Sequence, residues 1–352
     1  MHISMVFKPM PESARQQIVI SRKDALEILH RLRQGESVPS ERLNFRGVSL
    51  PGEDLSGLDL FGADFSEADL AGADLSGARL FKARLVKTVL IGAKLHKADL
   101  TGCDLSGANL EDAHASEIGL GMAVLRGARL FSCDLSRGTL TKANLEKADL
   151  RCANLRGARM REAEIVGADL TGASLYGINL SLSNLENSIF NNADMREARL
   201  RSVTNFEKAE WIGVDIRDIN FSGAYRLRRF IVDQNYLYEF KNVNAYSRIV
   251  YWIWLISSDC GRSLFRWCIC IAGLSLVFAW LYTLVGIDYG EHPNWIAPVY
   301  YSVVTLSTLG YGDILPVTPL ARFVALVEVM TGYVMLGGLL SIFANKMARR
   351  GE

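Results

Sequence analysis

Large apolar residues recur at every fifth position through the first half of the chain and beyond. Phe45, Leu50, Leu55, Leu60 and Phe65 open the series, Leu185, Phe190, Met195 and Leu200 close it, and only Ala115 breaks it with a small residue. Two positions ahead of most of them sits a small residue, as at Ala63, Ala68, Ala73, Cys103 and Ala148. A period of five fits neither a 3.6-residue helix nor a two-residue strand. A unit that short cannot bury a core alone, so successive coils must stack. After Leu200 the register slips by one and resumes at Phe206, Trp211, Ile216 and Phe221, which predicts a bulge or a loosened last turn. Ahead of the series, Leu26, Leu29 and Leu32 mark one face of a short helix, started by Ser21 with Asp24 and stopped by Gly35. That face needs a partner, and the open end of the repeats is the nearest candidate.

From Arg226 the spacing turns helical, through Leu227, Phe230, Ile231, Gln234, Leu237 and Tyr238, and predicts a connecting helix. Residues 246–256 are apolar, too short to span a bilayer and dense in Trp and Tyr. They read as a helix lying in the membrane interface, or alternatively as a buried helix of a soluble domain. Asp259 and Gly261 would turn the corner, with Arg262 and Arg266 at headgroup level. Residues 267–287 and 323–343 are each about long enough to cross a membrane. Between them lies Thr305-Leu306-Ser307-Thr308-Leu309-Gly310-Tyr311-Gly312-Asp313. Irregular backbone is tolerated at membrane depth only inside protein or along a water-filled path, so a Gly-Tyr-Gly placed there reads as a pore lining. Gly310 and Gly312 permit conformations that a Cβ would oppose.

The nine-residue segment resembles the potassium-channel signature, and residues 267–345 resemble a two-span potassium-channel pore. That resemblance implies a selectivity filter made of Thr308, Leu309, Gly310, Tyr311 and Gly312. It would bind K⁺ mainly through the backbone carbonyls of Thr308, Leu309, Gly310 and Tyr311, with the Thr308 hydroxyl as the innermost ligand. Tyr301, Thr305 and Asp313 would support the filter, with Tyr301 hydrogen-bonded to Asp313 and Tyr311 pointing away from the axis. Pro298 would start the pore helix, whose C-terminal dipole end favours a cation. Val304 stands where some members carry a glutamate paired with that aspartate, and Leu309 replaces the commoner Val or Ile. Gly332 lies where the family has its gating hinge, and Gly337 with Gly338 offers a second weak point; close helix packing is the alternative for each. No arginine-rich span precedes the pore, so no voltage sensor of the usual type is expected.

The fivefold series is similar to the pentapeptide-repeat family, A(D/N)Lxx, which implies a right-handed quadrilateral parallel β-helix with four repeats per coil. About nine coils would make a rod roughly 40 Å long at the ~4.8 Å spacing of parallel strands. The expected organisation is a helix and cap over 1–43, the β-helix over 44–225, a linker with interfacial helix over 226–266, an α-helical membrane pore module with two transmembrane helices and a re-entrant pore helix over 267–345, and a tail over 346–352.

Composition narrows this little further. The 352 residues carry 39 Lys+Arg against 38 Asp+Glu, a net charge of +1, and no nucleic-acid partner is expected. The six cysteines form no disulfide or zinc pattern, and Cys103 and Cys133 read as small fillers of the shaft. His2, His30, His96, His114 and His292 are scattered, no nucleophile has a base beside it, and neither an enzyme site nor a cofactor other than the permeant K⁺ is expected. Lys241, Arg248, Arg262 and Arg266 precede the first span and Lys346, Arg349 and Arg350 follow the second, whereas the re-entrant side carries Asp288, Glu291 and Asp313. Both termini are therefore expected in the cytoplasm, with the spans in the plasma membrane (the bacterial inner membrane for a prokaryotic source). The expected partners are three further copies in a homotetramer, membrane lipid, and other rods or proteins along the β-helix. The rival readings are a membrane-anchored scaffold that does not conduct and a DNA-mimicking rod that binds a topoisomerase; the many Arg and Lys in the repeats weigh against the second.

Overall fold

Four sides of five residues close one coil, so a residue meets its neighbour in the next coil twenty positions on. The computed structural model describes residues 20–36, 38–39, 43–219, 221, 224–290 and 294–348. His2, Glu291, His292, Arg349 and Arg350 lie outside the described residues. The chain divides into two compact units, Met1–Tyr236 and Leu237–Glu352.

The first unit is the right-handed β-helix. Parallel bridges twenty residues apart run from Asn44 with Asp64 to Asn184 with Thr204. Leu50 N–H donates to the Asp69 carbonyl (2.7 Å), and Asp69 N–H returns to Val48 (2.9 Å). Each corner is a tight turn: Ala63 N–H donates to the Leu60 carbonyl (3.1 Å) and Gly62 between them has φ 66°. A positive φ at that position is the mark of a type II turn. Glycine meets it freely, yet Glu67, Lys82 and Lys147 hold it at 63°, 58° and 57°, at about 1 kcal/mol or more each. The Asp or Asn of the motif explains part of the compensation. Its Oδ1 accepts the N–H two residues on, as Asp64 does from Ser66 (2.9 Å), Asp99 from Thr101 (3.0 Å) and Asn144 from Glu146 (3.0 Å). These positions cap turns as well as facing water.

Inside, Leu55, Leu100 and Leu150 have no solvent exposure. The widest rings sit near the two ends of the shaft, Phe45 stacked on Phe65 (4.7 Å between centroids) and Phe190 on Trp211 (4.4 Å). Cys103 and Cys133 fill the shaft; burial pushes the Cys103 thiol up to about 12 and raises Cys133 as well, so neither is a reactive thiolate. A 3₁₀ turn, Phe206–Lys208, inserts the extra residue at the expected slip, and the next bridges, Ile189 with Glu210 and Asp194 with Asp215, are twenty-one apart. The series resumes fully only at Trp211. Phe206 and Ile216 are half-buried, because the inserted turn carries Phe206 out of the shaft to meet Phe230 edge-on at 5.9 Å.

Both ends of the rod are closed by helices. α1 (Arg22–Arg33) has Ser21 as its N-cap and buries Ala25 and Leu29 on the shaft. Arg22 pairs with Glu53 (2.6 Å) and Arg33 with Asp54 (2.8 Å). At the other end α2 (Tyr225–Asn242) buries Leu227 and Ile231. Gln234 Oε1 accepts from Trp211 N–H (2.7 Å), Asn235 Oδ1 accepts from Gly213 N–H (2.7 Å), and Asn235 Nδ2 donates to the Trp211 carbonyl (2.8 Å). Two side-chain amides thus occupy the strand edge that would otherwise template another chain. The first part of α2 belongs to the rod and not to the expected linker over 226–266.

In the second unit, α3 (Ala245–Ser258) begins at an Asn244–Ser247 capping box and ends in three left-handed residues, Asp259, Cys260 and Gly261. Tyr246, Ile249, Ile253 and Ile256 line one exposed apolar face of it. α4 (Leu264–Leu284) and α6 (Pro319–Ala348) are long and apolar enough to cross a membrane. Between them come β1 (Ile287–Asp288), α5 (Ala297–Leu306) and β2 (Leu315–Pro316), with β1 and β2 paired antiparallel.

Candidate ion pathway

Pro298 lies in the first turn of α5, where its missing N–H costs nothing. The other end of α5 passes directly into the Gly-Tyr-Gly segment. Thr308 N–H donates to the Thr305 carbonyl and Leu309 N–H to the Val304 carbonyl, at 3.0 and 3.1 Å. Beyond them the backbone alternates. Thr308, Gly310 and Gly312 take positive φ of 60°, 56° and 78°, while Leu309 and Tyr311 do not. Alternating the sign of φ lets successive carbonyls turn towards one side of the strand. Carbonyls so turned are suited to replacing the water shell of a hydrated cation. Leu309 and Tyr311 are 61% and 67% exposed, so this chain alone leaves them largely uncovered.

Support for the segment comes from behind. Tyr300 Oη donates to Asp313 Oδ2 at 2.7 Å. The donor is Tyr300 and not the expected Tyr301. Neighbours on a helix point about 100° apart, so only one of the two can reach the loop. Tyr301 instead is buried, edge-on to Tyr282 of α4 at 4.8 Å. Thr305 is buried at the end of α5.

One cluster went unnoticed in the sequence. Glu328, a third of the way along α6, is fully buried. Tyr282 Oη of α4 lies 2.5 Å from its Oε2, and Ser302 Oγ of α5 lies 2.5 Å from its Oε1. The same Ser302 Oγ is 2.8 Å from the Ser275 carbonyl of α4. Three helices therefore meet on one carboxyl group. The available signal was a lone acidic residue inside an apolar run, which marks function by default in a membrane.

The three hinge candidates differ in their surroundings. A Cβ on Gly332 would stand 2.1 Å from the Leu306 carbonyl oxygen, and one on Gly338 2.3 Å from the Trp267 ring. Trp267 also donates from Nε1 to the Met335 carbonyl (2.9 Å). At both glycines close approach alone demands the missing side chain. Gly337 has nothing within 4 Å, and α6 is continuous through all three.

Residues 246–349 match the family model described as ion channel. Residues 41–77, 73–112, 128–165 and 163–201 each match the family model described as pentapeptide repeats (8 copies). A curated relative is the calcium-gated potassium channel TvoK of Thermoplasma volcanium, 32% identical over 71 residues. The match takes in 19% of this chain and 20% of TvoK, so the chain spans about a fifth of that relative. Among solved structures, HetL, a pentapeptide repeat protein involved in heterocyst differentiation regulation in Nostoc sp., is 31% identical with a TM-score of 0.33, covering 55% of this chain and 97% of its own. QnrB1, a plasmid-mediated fluoroquinolone resistance protein, is 22% identical with a TM-score of 0.43, covering 52% and 96%. At those TM-scores the coil geometry rests on the bridges of this chain itself.

Proposed function

We propose that this chain, an ion-channel module joined to a run of pentapeptide repeats, is one subunit of a homotetrameric, potassium-selective channel. The observation that carries the reading is the alternation of positive φ at Thr308, Gly310 and Gly312 directly after the pore helix. In this reading it turns a column of carbonyls towards an axis shared with further copies of the chain. K⁺ would be held by the Thr308, Leu309, Gly310 and Tyr311 carbonyls, and the C-terminal end of α5 adds a favourable dipole. The exposed Leu309 and Tyr311 side chains then have a use, as the surface against which neighbouring subunits close. The likeness to a potassium channel over 71 residues supports the choice of ion.

The charges flanking the spans favour a cytoplasmic rod: Lys241, Arg248, Arg262 and Arg266 precede α4 and Lys346 ends α6, against Asp288 and Asp313 on the other side. In this reading the rod biases the gate through α2, whose first turns close the rod and whose last turns lead into the interfacial α3. Selectivity is tested by bi-ionic reversal potentials of the protein in liposomes; equal permeability to K⁺ and Na⁺ would overturn it. Coupling is tested by comparing open probability in the parent, in a chain lacking residues 1–236, and in one with a flexible Gly/Ser insert between Asn242 and Val243. Unchanged gating in both assembled variants would leave the rod a passive domain.

A further inference from the structure

Counting hydrogens around Glu328 separates a carboxylate from a carboxylic acid. A serine hydroxyl owns one hydrogen. Ser302 Oγ is 2.8 Å from the Ser275 carbonyl oxygen, which only accepts, and 2.5 Å from Glu328 Oε1. The Tyr282 hydroxyl supplies its own single hydrogen to Oε2. Were Glu328 ionised, one Ser302 hydrogen would have to serve two acceptors, and one of the two contacts would set lone pair against lone pair. A neutral acid removes the conflict. Oε1–H then donates to Ser302 Oγ, Ser302 donates to the Ser275 carbonyl, and Tyr282 donates to Oε2. Every polar atom in the cluster has a partner, and no net charge is buried in the apolar interior, where an unpaired one is costly.

Nothing nearby offers a compensating cation among the described residues. The groups facing the cluster are hydroxyls: Tyr282 from α4, Tyr301 from α5, and Tyr289, whose hydroxyl donates to the Tyr282 carbonyl at 3.1 Å. On α6 itself, Arg322 is turned away to donate to the Pro316 carbonyl, and Tyr333 is exposed.

We propose that Glu328 is a proton-binding site inside the membrane module, and that its proton ties α6 to α5 and α4 behind the filter. Loss of the proton to hydroxide, giving water and a carboxylate, draws the Ser302 hydrogen onto Oε1. The Ser302 to Ser275 bond opens, and α5 loses its direct hydrogen bond to α4. On the channel reading of the preceding section, on which this regulatory consequence rests, conduction falls as the site is deprotonated at alkaline pH.

The test has two readouts on the full-length protein in liposomes. Infrared spectra at neutral pH should contain the carbonyl stretch of a protonated carboxylic acid, fading as pH is raised and absent from E328Q. Potassium flux should fall over the same alkaline range in the parent. E328Q, whose amide keeps the donor and acceptor of a neutral acid, should conduct without that fall, while E328L should lose conduction. Absence of the acid band from the parent overturns the proposal, and so does loss of flux in an assembled E328Q when the parent conducts. Should no variant carry K⁺, the channel reading fails, and the infrared titration of the parent alone still decides whether Glu328 holds a proton.

Discussion

The rod and the membrane module dispose of their backbone bonds and apolar side chains in opposite ways. In the rod the shaft residues reach zero exposure and each coil bonds to the next within one chain. Its two ends are closed by α1 and by the first turns of α2. The membrane module leaves its most specialised segment open: Leu309 and Tyr311 project outward, Val303 on α5 is 48% exposed, and Trp295 ahead of it is 89% exposed. One half of the molecule is complete as a single chain. On the channel reading proposed above, the other would be finished by lipid and by further copies, where a pore would form.

The sharpest way to break that division is Gly310→Ala. At φ 56° alanine is strained, and relief of the strain rotates the peptide carrying a candidate ligand carbonyl. Selective K⁺ permeation should be abolished, read as a reversal potential that no longer distinguishes K⁺ from Na⁺. The melting of the rod should not change. If it does, the two units are not independent.

Next in size are substitutions in the shaft. Leu100→Ala or Leu150→Ala empties a fully buried site and should cost about 2–5 kcal/mol. Arg151→Ala, on an exposed side chain of the same coil as Leu150, should stay within about 0.5 kcal/mol. Chemical denaturation of residues 1–236, a unit with both ends covered, measures the contrast. Equal sensitivity at the two kinds of position would refute the inward and outward assignment.

What could be read from the chain in advance follows from how local each signal is. The shaft was legible because Leu50, Leu55 and Leu60 state its period within a dozen residues. The alternating backbone at Thr308, Gly310 and Gly312 was half legible, since glycine marks two of its three positive φ values and Thr308 gives no sign. Tyr300 and Tyr301 are adjacent and identical in chemistry, so only the helix rotation decides which meets Asp313. Gln234 and Asn235 look like ordinary surface residues of a helix. Their role depends on where the last coil places Trp211 and Gly213, some twenty residues back. Glu328 was visible as an oddity, but its partners on α4 and α5 lie 46 and 26 residues away.

Closure of the C-terminal coil gives the third prediction. Gln234→Ala with Asn235→Ala leaves the Trp211 and Gly213 N–H groups without their acceptors. An unmade bond at a partly buried site costs about 1–3 kcal/mol. The loss should appear as faster amide exchange confined to the coil around 209–215, with the coils around Leu100 unchanged. Uniform acceleration along the rod would mean that it unfolds as one block and that its ends are not separately closed.

The smallest effect concerns the surface ion pairs, and it asks whether the rod owes its completeness to its core or to its charges. A hydrogen bond from Arg217 holds the Asp215 carboxyl down at about 2, and Arg151 and Arg196 lower Asp149 and Asp194 in the same way. A free aspartate titrates near ~3.9. Because the folded value is the lower one, the stabilisation is fully present above about pH 4 and is lost as pH falls towards 2. The melting temperature of residues 1–236 should therefore be flat from neutral pH down to about 4 and then decline. Arg217 is 74% exposed, so solvent and salt screen the pair and the decline it causes should be slight. Arg217→Ala should make the acid decline shallower and leave the neutral plateau almost where it was. A large drop of the plateau on that single substitution would show that the exposed pairs, and not the leucine shaft, hold the rod together.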